Sequence, residues 1–291
     1  FNFNNVGIVL AAKDDGEKAL WRGIAMGFGY NRIATYSSRM YFEGTNDQSS
    51  LLDVFTANAQ SQTDIESLDP FGNQLAFYVG VIDTSSAGNY YSVIQAPYGQ
   101  KQTMSMDRWG SMGETMFTIG GNYLDKLYIG GSFSFPNVKF EQSSVYTESV
   151  ENDSTFFFKN FTYNSDVSTR GSGFGFKFGM IYRPADWIRV GGSVHTPTVL
   201  RLSDTYSNSM ESEFASGKYN YSSPDGAFDY TVTTPMRAMG SLGFIIGKIA
   251  AIGVDYEFID YSDSRLNSPS YKYTSENKAI RDKYTSTSNV R

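Results

Sequence analysis

The 291 residues contain no cysteine and a single histidine, His195. The first absence excludes disulfides, thiol nucleophiles and cysteine-ligated metals. The second excludes a histidine-rich metal site or paired-histidine catalysis, so neither metal nor cofactor is expected. Also missing is any run of about 18 apolar residues, the minimum for a membrane-spanning helix. The best candidate, Leu242–Val254, is short and interrupted by Gly247 and Lys248. The net charge is −6, which argues against nucleic acid as a partner. No Gly-x-Ser-x-Gly, phosphate loop or Asp-rich calcium loop occurs, so no enzyme is expected. A hydrolase would have to assemble from scattered Ser, Asp and His195. No signal peptide is seen, because Phe1 already opens a structured-looking segment; either it was removed or the chain is a piece of something longer.

What is present is aromatic residues, at 16%, and 28 glycines. They sit in period-two alternation, the mark of strands. Ile24, Met26, Phe28 and Tyr30 alternate with Gly23, Ala25, Gly27 and Gly29. Phe174, Phe176, Phe178, Met180 and Tyr182 alternate with Gly173, Gly175, Lys177 and Gly179. Ile252, Val254, Tyr256 and Phe258 alternate with Ala251, Gly253, Asp255 and Glu257. Large apolar residues on one face and small or charged ones on the other fit an all-β, antiparallel transmembrane β-barrel better than a soluble lipocalin-like or sandwich fold.

Strands are expected at 1–12, 20–42, 101–123, 127–142, 156–182, 187–202, 228–246, 249–261 and 286–291. Short turns fall at Leu124–Lys126, Arg183–Asp186 and Gly247–Lys248, with a longer one at Lys13–Lys18. Long polar stretches lie at 43–99, 142–156, 203–227 and 262–285. Alternating short and long connections match the periplasmic turns and extracellular loops of outer-membrane barrels. Many strands exceed the ~9–11 residues that cross a bilayer and should project beyond it on the loop side. Aromatics near strand ends, such as Tyr123, Tyr128, Tyr182 and Trp187, suit an interfacial girdle, or are ordinary strand aromatics. About nine strands are counted, whereas bacterial barrels have even numbers. The whole of 1–291 thus reads as a partial barrel domain, with further C-terminal strands expected beyond it.

The 43–99 loop should contain helices. Ser50 can cap one over 51–58, and Asp69-Pro70-Phe71 can open another running toward Ile82. Their apolar residues, Leu51, Leu52, Val54, Phe55, Phe71, Leu75 and Phe77, would either line a groove that captures a hydrophobic ligand or pack together as a cap. A polar helix at 276–284 would form a lid.

Three segments then resemble the FadL-type transporters of the outer membrane, in the version common in Bacteroidetes. One runs from Gly110-Ser111-Met112-Gly113-Glu114 through Phe117–Tyr123 to Leu127–Gly131. The second runs from Lys177 through Arg183-Pro184 and Ile188–Ser193 to His195-Thr196-Pro197-Thr198. The third joins Pro235–Gly243 to Val254–Phe258 and Asp260–Ser262, with Leu51-Leu52-Asp53 and Leu68–Gly72 as further loop matches. The resemblance implies a fourteen-stranded barrel with an N-terminal hatch, of which the hatch and last strands are not in this sequence. It implies passive uptake of long-chain fatty acids or similar compounds: capture outside, binding in the lumen, and lateral exit through the wall. It places the protein in the Gram-negative outer membrane, among lipid and lipopolysaccharide, with a hydrophobic small molecule as ligand.

Within that scheme Gly110, Ser111, Met112 and Gly113 mark either a wall kink or a register irregularity. Lys177 and Arg189 lie on small-residue faces and should point inward, where they would bind a ligand carboxylate or pair with Asp255 and Glu257. His195 is in phase with Arg189 and is a third lumen candidate. Two other readings stay open: a barrel whose extracellular loops bind a protein partner in secretion or surface assembly, and a general polar porin.

Overall fold

Period-two alternation sets the two faces of every strand, and ladder register keeps like faces together across strands. The computed structural model describes residues 3–14, 16, 19–62, 64–150, 157–247 and 249–291. Asp15, Glu17 and Lys18 of one expected turn, and Lys248 of another, lie outside the described residues.

The strands are β1 (Asn5–Lys13), β2 (Trp21–Thr35), β3 (Ser38–Asn46), β4 (Ile82–Thr84), β5 (Tyr90–Ser92), β6 (Gln100–Tyr123), β7 (Leu127–Ser149) and β8 (Phe158–Ala185). They continue as β9 (Ile188–His195), β10 (Val199–Phe214), β11 (Gly217–Ser222), β12 (Gly226–Thr233), β13 (Arg237–Ile246), β14 (Ala250–Asp260), β15 (Arg265–Asn267) and β16 (Ser286–Val290). Helices α1 (Leu51–Ala59) and α2 (Asn73–Tyr78) fall between β3 and β4, and α3 (Thr274–Lys283) precedes β16. Fourteen strands form one antiparallel sheet, and β4–β5 is a separate hairpin. The fold is all-β.

The sheet is a meander in which several passes are broken in two. β2 and β3 both pair with β6, and β9 and β10 both pair with β8. β12 and β13 follow on β10 and β9. β15 and β14 follow on β12 and β13. Counting joined pieces once gives nine passes among the described residues, with β1 and β16 at the two ends. The breaks lie level with one another. Pro197 separates β9 from β10 and Pro235 separates β12 from β13, each removing a ladder donor. Beside them Pro136 interrupts the β7–β8 pairing between Ser134 and Asn137. This seam divides the sheet into a turn-side half and a loop-side half.

One face of the sheet is shaded and the other exposed, along β7 and β8 almost residue by residue. Residues of β1, of β16 and of seven strands between them line one cavity of about 870 Å³, so the sheet curls and the shaded face is the inner one. In the turn-side half the outer face carries Phe133 and Phe135 of β7 and Phe174, Phe178 and Met180 of β8, all exposed. The inner face there carries Gly120, Gly130, Gly179 and Ser193, which are mutual register partners.

Two stretches expected as loops are strand. β7 runs on to Ser149, and 203–222 forms the end of β10 plus β11. The alternation is there, but with inverted polarity: Tyr206, Met210 and Phe214 face inward while Thr205, Ser207, Ser209 and Glu211 face outward. Their inner face packs on the 43–99 insert. α1, α2 and the hairpin bury Leu52, Phe55, Leu75, Val79 and Ile82 against Phe158, Phe161, Met210 and Phe214, which is the main hydrophobic core.

Candidate functional site

The inner face just below the seam holds a row of charge. Lys177, His195 and Arg237 are successive register partners on β8, β9 and β13. Lys177 Nζ lies 2.7 Å from both carboxylate oxygens of Glu114 on β6. The Ser134 hydroxyl donates to the same carboxylate. Arg237 Nη1 is 3.5 Å from Glu257 of β14. Two cations are thus matched by two carboxylates, with His195 between them. Glu114 is buried and Lys177 is 29% exposed, so the first pair is the more desolvated of the two.

Below this row is the cavity. Its lining includes small residues, Ala11, Ala25, Gly120, Gly130 and Gly179, and polar groups such as Asn122, Asp255 and Arg291. Above the row is the packed insert. The insert is fastened by Glu148, a fully buried carboxylate on the inner face of β7. It accepts from Ser50 Oγ at 2.6 Å, Leu51 N at 2.7 Å, Tyr146 OH at 2.6 Å and Gln102 Nε2 at 3.1 Å. Four donors offset the cost of burying the charge, and the N-terminus of α1 adds its dipole. A second fastening holds the chain on either side of α2. Tyr163 OH and Asn208 Nδ2 both donate to the Phe71 carbonyl at 2.7 Å, and Ser212 Oγ donates to the Val79 carbonyl at 2.6 Å. Burial raises the Tyr146 and Tyr163 phenols above their usual range, Tyr163 to about 12.

The expected capture groove is filled. Leu52 and Leu75 have no exposed surface, Phe55 is buried, and Leu51 and Phe77 pack against the same core. The Phe71 ring meets that of Tyr206 in a tilted contact, centroids 4.8 Å apart. Val54 alone among the seven points outward, at 53% exposure. α1 begins at the Ser50 cap, with a full Ser50–Asp53 capping box. α2 is shorter than expected, because Asp69 turns the chain onto Phe71 N and Gly80, at φ +75°, ends it.

Lys177 and Arg189 do not converge. Lys177 faces His195, and Arg189 lies six residues further along β9, roughly 20 Å away. The partner of Lys177 is Glu114, not Asp255 or Glu257. Nor do Gly110–Gly113 open the wall toward β7, since that ladder is continuous from Lys101↔Ser149 to Tyr123↔Leu127. Gly110 has φ +130°, and a Cβ there would run into the Lys139 carbonyl; a Cβ at Gly113 would strike the Tyr30 ring. The glycines admit close backbone approach and a ring seat. The irregularity lies on the other side, where register with β2 shifts between Arg32 and Ala34 and leaves Ile33 as a bulge.

Glu114, Arg237 and Glu148 were not among the expected site residues. Glu114 is in phase with Met116, Thr118 and Gly120, so its inward direction was readable. Glu148 sits in a stretch that looked like loop and gave no such signal.

Comparisons with protein-family models, with curated proteins and with solved structures return no match for this chain.

Proposed function

We propose that the chain forms wall and mouth of a FadL-like outer-membrane β-barrel that admits hydrophobic compounds, such as long-chain fatty acids, by passive uptake. The observation that carries this reading is the outer apolar band. On β7 it runs from Leu127 to Phe135 and then gives way to Asn137, Lys139 and Glu141; on β8 it runs from Tyr182 back to Phe174 and gives way to Ser172 and Arg170. Nine residues at ~3.3 Å, tilted by ~40°, rise roughly 23 Å, close to the ~25 Å apolar band of outer-membrane barrels. Soluble monomers rarely expose a contiguous apolar face of this extent.

Uptake is supported by the cavity on the inner face, bordered above by charged pairs that could meet a polar headgroup. With the insert packed shut, the ligand would reach the cavity past the insert rather than between its helices. The β2 bulge at Ile33 is the place in this wall that suits lateral exit. On this reading the protein is a transporter and carries no catalytic apparatus.

The test is uptake of labelled oleate into proteoliposomes. A Cβ at Gly179 meets the Ser193 side chain at 3.4 Å and the Gly192 carbonyl oxygen at 3.7 Å, both ordinary contacts, so Gly179→Trp can be accommodated while its ring fills the cavity. Wild type should accelerate uptake, and G179W should lose most of it. Equal passage of small sugars would favour a polar porin instead.

One observation favours the partner-binding reading. Tyr78, Tyr91, Tyr219 and Tyr221 are exposed around the insert, with the Tyr78 and Tyr221 rings in tilted contact at 4.4 Å. Aromatic clusters of this kind are enriched at protein interfaces. Barrels that carry no oleate but crosslink to a surface protein through these tyrosines would move the assignment there.

A further inference from the structure

Immediately above the apolar band, the outer face carries cations on three neighbouring strands. Lys139 of β7 and Arg170 of β8 are register partners, and Arg201 of β10 faces Ser172 of β8. Lys139 and Arg170 are 55% and 70% exposed and share one carboxylate. Glu141 Oε1 lies 3.0 Å from Lys139 Nζ and 3.6 Å from Arg170 Nη2. The other oxygen of Glu141 accepts from Trp109 Nε1 at 2.5 Å. Arg201 forms no ion pair among the described residues. Asp229, opposite Ser203, and Asp166, further up β8, are nearby acids of this face; neither forms an ion pair with the three cations.

Directly below stands an aromatic platform. Phe174 lies 5.5 Å from Phe135 and 6.2 Å from Phe133, ring to ring. Four residues separate Phe135 from Lys139, and four separate Phe174 from Arg170, about 13 Å along each strand. Tilted by ~40°, that is a rise of roughly 10 Å, enough to cross the ~5–8 Å interfacial layer of one leaflet. Two arginines and a lysine on adjacent strands suit several phosphate oxygens at once, the arginines in bidentate fashion.

We infer that this face is a docking surface for a phosphate-bearing, multi-acyl lipid of the loop-side leaflet. Its phosphates lie on Lys139, Arg170 and Arg201, and its chains on Phe133, Phe135 and Phe174. The inference rests on the band being membrane-embedded. The lipid would lie against the wall from outside, apart from the inner cavity, and so would mark the depth at which the sheet sits.

The full chain and the variant K139Q/R170Q/R201Q should be reconstituted in phosphatidylcholine vesicles containing diphosphorylated lipid A or its dephosphorylated form. Native mass spectrometry of the extracted protein counts retained lipid. Wild type should retain the diphosphorylated lipid over the dephosphorylated one by roughly tenfold or more. The triple variant should lose that preference, and a control of equal charge change, R39Q/K159Q/K218Q, should keep it. Equal retention by wild type and triple variant, or displacement of the lipid by inorganic phosphate at comparable concentration, overturns the proposal. Protease protection of the strands is measured on the same vesicles. If neither protein inserts, the membrane reading fails and takes this proposal with it; if both insert and retention is unchanged, the docking surface alone fails.

Discussion

In the turn-side half of the sheet the large side chains point away from the cavity, and in the loop-side half they point toward the insert. Phe174, Phe178 and Met180 are exposed on the outside of β8, whereas Phe161 on the same strand is fully buried on the inside. The backbone ladder from β7 to β8 is common to both halves. What differs is which face carries the large apolar residues. Above the seam a packed core covers the inner face and the outer one is largely polar. Below it the inner residues are small and the exterior is apolar, the arrangement expected if, as proposed, lipid surrounds the wall. The seam, with its prolines and the Lys177–Glu114 pair, is where one arrangement changes into the other.

The contrast can be broken from either side. The largest effect should come from the insert. Glu148→Ala leaves Ser50 Oγ, Leu51 N and Tyr146 OH without their acceptor and should cost about 3–5 kcal/mol locally. Hydrogen exchange over Leu51–Ala59 would accelerate while the turn-side strands stayed protected. Exchange that accelerates in both halves together would mean the two are one cooperative unit. At the seam, Lys177→Met leaves Glu114 unpaired and should cost about 2–4 kcal/mol, discounted for the partly exposed lysine. The double variant K177M/E114Q should recover most of this in urea refolding. Should the double variant be as unstable as the single, the pair is not what matters.

Phe178→Arg on the outer band should cost about 2–4 kcal/mol of refolding into lipid vesicles. The same residue introduced on the outer face above the seam, Ser168→Arg, should stay within about 0.5 kcal/mol of wild type. Equal penalties would erase the distinction between the outer faces. The smallest effect concerns pH. Tyr163 has its pKa raised from 10.0 to about 12, chiefly by burial, so the neutral phenol is favoured in the fold. Its contribution is complete below pH 10 and is lost as pH rises toward 12. Exchange at Asn73–Tyr78 should therefore rise within that window, and Tyr163→Phe should flatten the rise.

Much of this was legible in the residues. Gly/aromatic alternation gave the nine passes, and Leu124–Lys126 and Arg183–Asp186 gave their turns. The Ser50 cap located α1 because its chemistry is local. The upper parts of β7 and β10 were not legible, whereas β8 was expected along nearly its whole length. The outer positions of those parts of β7 and β10 are mostly Ser, Thr and Glu, and inner residues such as Tyr146, Met210 and Phe214 are covered only because a distant insert packs on them. The charged row was half legible: strand phase sends Lys177 and His195 inward, but pairing with Glu114 depends on a register two strands away. Glu148 was invisible, since nothing local tells a buried carboxylate from a solvated one. The insert's apolar residues were recognised, but whether they would stand open or pack was a question of tertiary contact.

The absence of cysteine allows the most direct test of the central claim, that the outer face of the turn-side half lies in lipid. Single cysteines placed in turn from Arg170 to Tyr182 on β8 would carry a fluorescent label, read in vesicles of brominated lipid. Quenching should alternate, strong at 174, 176, 178, 180 and 182, weak at the odd positions between, and absent at 170 and 172. Quenching without alternation, or none at 174–182, would contradict the account.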